Sequence, residues 1–101
     1  MAQLSTLGSI ERTYFMKTHK DSKGHIYADV ENIRVTYIPA SDRDASKDWA
    51  GSDVIRVQAY KAPAPDRSLH MGAEIPISSP EVFGEFVGAI CQIYTEGRDA
   101  A

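Results

Sequence analysis

Cysteine is nearly absent from this 101-residue chain: Cys91 stands alone, so no intrachain disulfide can form. A basic surplus is missing too. Eleven Lys and Arg stand against fourteen Asp and Glu, a net charge of −3. That argues against generic polyanion binding, which rests on a broad cationic surface, and leaves room only for one locally basic face. No run of about 18 apolar residues occurs, so nothing reads as a membrane span. The opening MAQLSTLGSIER has neither the basic start nor the apolar stretch of a secretory signal. A reducing, cytoplasmic setting is the expectation. Catalytic signatures are also lacking: no G-x-S-x-G, no phosphate loop, no paired cysteines. There are three histidines, His19, His25 and His70. His19 and His25 flank a turn, but a metal site needs more ligands than two. DRDASKD begins like a calcium loop with Asp42, Asp44, Ser46 and Asp48, yet Lys47 takes the glycine position and no glutamate closes the loop. The expectation is a protein that is no enzyme and uses no metal or cofactor.

What is present is ordinary globular composition, 43% hydrophobic and 25% charged, enough for one modest core. Residues 1–9 read as a flexible tail and 10–98 as a single α+β domain. IERTYFMKTH has strand composition, KDSKG is a turn, and HIYADVENIRVTYIP follows as the other half of a hairpin. In that second segment Ile26, Ala28 and Val30 alternate, and Ile33, Val35 and Tyr37 alternate out of phase with them. A β-bulge at Glu31–Asn32 restores one face; two separate short strands are the alternative. ASDRDASKDWAGSD (40–53) is a long loop, in which Asp44 is expected to cap a helical turn over 45–50, Gly51 to end it and Trp49 to anchor it. DVIRVQAYK is a third strand, and LHMGAEIPI alternates without a break as a fourth. Pro76, with no N–H for a ladder, marks that last strand as an edge.

The stretch SSPEVFGEFVGAICQIYTEG (78–97) is a helix. Ser79 caps it, Pro80 suits the first helical position, Glu81 complements the dipole, and Gly97 is expected to stop it. The predicted fold is therefore a four-stranded antiparallel meander with one C-terminal helix packed on its apolar face. At 100° per residue, Val82, Phe83, Phe86, Val87, Ala89, Ile90, Ile93 and Tyr94 fill an arc of about 160°, where a helix lying on one sheet needs roughly 100°. Gly84, Gly88, Cys91 and Thr95 extend the arc as a stripe of small residues. Each glycine costs about 1 kcal/mol relative to alanine in a helix, so two imply a packing reason. A homodimer through Gly84, Val87, Gly88 and Cys91 answers both observations. The alternative is that the glycines accommodate Trp49 within one chain.

If the helix covers Ile26, Val35, Ile55, Val57, Met71 and Ile75, the opposite sheet face carries Tyr27, Asp29, Arg34, Thr36, Arg56, Gln58, Tyr60, His70 and Glu74. Tyr27, Arg34, Arg56 and Tyr60 are candidate ligands for single-stranded DNA or RNA: rings stack on bases and guanidinium groups meet phosphates. Tyr and Arg also occur on solvated sheet faces simply because they pair across strands.

A strand running into Ser79, Pro80, Glu81 and Phe83, then a closing amphipathic helix, resembles the positive cofactor four family of transcriptional coactivators. The likeness covers about residues 52–96. It implies a four-stranded sheet with a C-terminal helix, dimerisation through the helices and single-stranded DNA binding on the sheets. The chain departs from that pattern at LHMGAE, where basic residues usually lead into the last strand. The functional expectation is a dimeric single-stranded nucleic-acid-binding module acting in transcription or replication. Its alternative is a protein-interaction domain, including a small phage or mobile-element inhibitor, on the same fold.

Overall fold

A computed structural model describes residues 16–61 and 68–100. The tail, most of the first predicted strand and the connection at 62–67 lie outside them. The elements run β1 (His19–Lys20), β2 (Ile26–Val30), β3 (Ile33–Ile38), a 3-10 turn (Ala40–Asp42), β4 (Asp53–Ala59), β5 (Ala73–Ile77) and helix α1 (Pro80–Ala100). The strands form one antiparallel sheet in the order β1-β2-β3-β4-β5. The sheet thus has five strands, not four. The difference arises at Glu31–Asn32, where the chain reverses instead of bulging: Val30 pairs with Ile33 and Asp29 with Arg34. Glu31 adopts φ 51° to make this two-residue turn, a left-handed conformation that tight hairpins require.

The chain divides into two compact units. The first comprises the described residues up to Tyr37 with Arg56–Ala73. Its opening hairpin is closed by Asp21, whose Oδ1 accepts from the backbone N–H groups of Lys23 and His25, both at 2.9 Å. Tyr60 bridges to Leu69, with His70 N–H donating to the Ala59 carbonyl at 2.9 Å. The unbroken alternation predicted from Leu69 onward is interrupted at Gly72, which takes φ 76°. A side chain there would run into the Val57 carbonyl oxygen, and would lie 2.7 Å from Gln58 Cγ.

The second unit comprises Ile38–Ile55 and the chain from Glu74 onward. Asp53 Oδ1 accepts from Ala40 N–H at 2.8 Å and fastens the base of the loop. The predicted helical turn over 45–50 is a run of turns instead, with Asp44 accepting from the N–H and hydroxyl of Ser46. Trp49 is not an anchor; it is 59% exposed. In α1, Ser79 Oγ accepts from Val82 N–H at 3.1 Å, the predicted cap. Gly97 does not stop the helix, which runs on to Ala100.

Burial departs most from expectation. Among the described residues the buried hydrophobics are Ile38, Val54 and Tyr60, and the buried polar residues His25 and Thr36. Ile26, Val30, Ile33 and Tyr37, assigned to the core, are 41–51% exposed, and Met71 is 91% exposed. Helix α1 contains no buried residue. The face read as outward, with Thr36 and Tyr60, is the better covered one.

Two outcomes are expected. Gly72→Ala combines a strained φ with an overlap onto backbone, and should cost about 3 kcal/mol in urea unfolding. Burial pulls the Asp21 carboxyl up, but the backbone N–H groups of His25 and Lys23, with the charges of His25 and Arg56, hold it below the ordinary 3.8. A depressed folded-state pKa stabilises above the unfolded value, and that stability is lost as pH falls through the folded one. Stability should therefore drop below about pH 4 more steeply in the wild type than in Asp21→Asn.

Candidate nucleic-acid interface

The hairpin register builds the candidate site. A two-residue turn makes Asp29 and Arg34 direct cross-strand partners and Tyr27 the partner of Thr36, so Tyr27 is the diagonal neighbour of Arg34 on one face. Arg34 Nε donates to Asp29 Oδ1 at 2.8 Å and its Nη2 to Oδ2 at 3.1 Å. The same Nη2 donates to the Tyr60 hydroxyl at 2.9 Å, and that hydroxyl donates to Asp29 Oδ2 at 2.9 Å. Arginine, carboxylate and phenol close a triangle. The hydrogen bond to Asp29 is the first reason the Arg34 guanidinium is held above its already high pKa.

Above this triangle lies a ladder of flat groups. The guanidinium carbon of Arg34 sits 3.9 Å from the Tyr27 ring centre, inside cation–π range. The ring of His19, from β1, lies 5.5 Å from that of Tyr27 at a tilt of 34°. Three of the four candidate ligands, Tyr27, Arg34 and Tyr60, are thus brought together. Tyr27 and Arg34 are half-buried. Tyr60 is only 7% exposed, so its ring faces protein rather than an incoming base. Arg56, on β4, is half-buried and places its charge near Asp21.

The sequence reading missed Asp29 and His19 as members of this cluster. The signal for Asp29 was its spacing from Arg34 about Glu31–Asn32; a bulge at that position conceals the pairing and a turn exposes it. The consequence is chemical. A guanidinium already engaged by a carboxylate in fork geometry offers little net charge to a phosphate.

The four residues assigned to the helix interface are all open. Val87 is 40% exposed, Cys91 is exposed, and a side chain at Gly84 or Gly88 would meet nothing within 4 Å among the described residues. The glycines therefore do not make room for Trp49. Among the described residues no group of three or more His, Cys, Asp or Glu is placed to hold a metal ion, and no helix is long and apolar enough to cross a membrane. Comparison with known proteins finds no matching family model, curated protein or solved structure. The likeness to positive cofactor four rests on the quoted residues alone.

The triangle gives a direct test. Tyr60→Phe removes one donor and one acceptor from a partly buried ionic network while keeping the ring, and should cost about 1–2 kcal/mol. In a double-mutant cycle with Asp29→Asn the two losses should fall short of additivity, measured by urea unfolding.

Proposed function

We propose that the chain is a self-associating interaction module, working by binding rather than catalysis, and that two copies pair through α1. One observation carries this reading: a helix with Val82, Phe83, Val87, Ile90, Ile93 and Tyr94 at 38–70% exposure and no residue buried. Apolar side chains left in water forgo roughly 1.5–3 kcal/mol each when large. A monomeric soluble protein rarely leaves so contiguous an apolar surface uncovered. A second α1 is a fitting cover. The stripe of Gly84 and Gly88 lets two backbones approach, and the same patch serves both copies of a two-fold pair. An antiparallel pair also sets opposite dipole ends side by side.

A second reading is supported by the His19–Tyr27–Arg34 ladder: single-stranded DNA or RNA stacking on Tyr27. Because Asp29 engages Arg34, that guanidinium contributes little to phosphate contact in this reading.

Sedimentation should give a dimer at micromolar concentration, and Gly88→Gln should weaken it about tenfold or more, equivalent to at least about 1.4 kcal/mol. A wild-type monomer would overturn the pairing. Titration with labelled oligonucleotides decides the second reading. There Tyr27→Ala should remove about 1–3 kcal/mol of stacking. Arg56→Ala should reduce the slope of log K against log salt by about 0.7. Absence of binding at low salt leaves the interaction module alone.

A further inference from the structure

Among the described residues, the loop between β3 and β4 bonds to the chain beyond its own ends through one charge pair. Residues 44–51 are exposed without a break. Most hydrogen bonds of residues 43–52 stay close by. Lys47 N–H donates to the Asp44 carbonyl and Ser52 N–H to the Trp49 carbonyl, both at 3.0 Å. The N–H and hydroxyl of Ser46 donate to Asp44 Oδ1, both at 2.9 Å. Arg43 N–H donates to the Ala40 carbonyl at 3.1 Å, and the Ser52 hydroxyl to the Asp53 carbonyl at 3.2 Å. Only the Arg43 side chain, 4% exposed, reaches further. Its Nη1 donates to Glu74 Oε1 of β5 at 2.7 Å, and its Nη2 to the Asp48 carbonyl at 2.6 Å. One guanidinium thus grips the loop with one arm and β5 with the other.

A loop fastened in this way has little else to resist opening. Local stability follows buried apolar contact and protected hydrogen bonds, and an unbroken exposed run supplies neither. The closed form also carries costs. Arg43 Nε is buried and meets no acceptor among the described residues, and a buried donor without a partner weakens the state that contains it. Trp49 takes φ 62°, a left-handed conformation that bulky side chains rarely adopt, so opening relaxes it. What holds against both is the ion pair. Because Arg43 is enclosed, parting it from Glu74 would leave a buried charge uncompensated. The guanidinium and the loop that carries it therefore leave together.

We propose that residues 43–52 form a strap that detaches from β5 as one unit while the strands and α1 stay folded, with Arg43 and Glu74 as its latch. Release returns the Arg43 guanidinium to water and parts it from Glu74, on the strand that ends the sheet order. The strap uses no residue of α1, so it stands whether or not two copies pair.

Amide hydrogen exchange of the full chain, followed residue by residue across low urea concentrations, reads the opening. The amides of Ser46, Lys47 and Ser52 should share one opening that responds little to urea, because it exposes little surface. Those of Tyr60 and His70, which donate to the Asn32 and Ala59 carbonyls at 2.9 Å, should exchange through an opening that grows with urea. Glu74→Gln keeps an acceptor and removes the charge. It weakens only the fastened state, so it should speed the three loop amides by a common factor of about tenfold. Arg43→Lys, whose ammonium cannot hold Glu74 and the Asp48 carbonyl in one fork, should act in the same direction. Tyr60→Phe leaves the latch intact and should speed the Tyr60 and His70 amides while leaving the loop amides as they are. Three results would overturn the strap. One is loop amides that follow the urea dependence of Tyr60 and His70, which would mean that the loop opens only with the whole chain. Another is loop amides that exchange without protection, so that no latch holds them. The third is Glu74→Gln speeding Tyr60 and His70 but not the loop, which would mean that the ion pair survives the opening.

Discussion

Phe83, Val87, Ile90 and Ile93 stand out of one helix at 38–70% exposure, and the free energy of removing water from them has to be gained somewhere. The described residues of a single chain offer three buried hydrophobic side chains, Ile38, Val54 and Tyr60. Small domains have little stability to spare, because burial only narrowly exceeds the conformational entropy lost on folding. Among the described residues, a sparse core and an open helix are two sides of one condition: apolar surface left uncovered. The proposed self-association would relieve both at once.

Polar groups are managed in the opposite way. On the hairpin, Asp29, Arg34 and Tyr60 satisfy one another within the chain, and Thr36 is 2% exposed beside them. In the second unit Arg43 does the same for Glu74 and the loop. Its Nε is buried without a partner among the described residues. The polar interactions thus set shape and register, while the apolar side chains of α1 stay exposed, the surface that the proposed pairing would cover. This division separates the nucleic-acid reading from the interaction reading. A sheet face whose arginine is already paired is a weak phosphate ligand, whereas an uncovered helix is a strong candidate for protein contact.

Much of the architecture was legible because local chemistry decides it. Ser79 and Pro80 mark a helix start in any context, Asp21 and Gly24 mark a turn, and Pro76 lies on the strand that ends the sheet order. Other elements turned on energies that no local pattern displays. Glu31 is not a typical left-handed residue, so a two-residue turn looked like a bulge. Gly97 costs only about 1 kcal/mol in a helix, less than a following turn can return, so α1 continues. Alternation told which residues share a face of β2 and β3, but not which face is covered. That depends on non-local partners such as Tyr60, which lies 31 positions from Asp29. For the same reason the candidate site emerged in part: Tyr27 and Arg34 do meet, while the carboxylate that neutralises Arg34 went unnoticed.

The claim that the chain completes its core by pairing is tested most directly by unfolding at several protein concentrations. A folded dimer that dissociates as it unfolds is stabilised by mass action. The urea midpoint should therefore rise steadily with concentration. A midpoint that stays constant across a hundredfold or so of dilution, with a single cooperative transition, would mean that one chain is sufficient and would contradict the account.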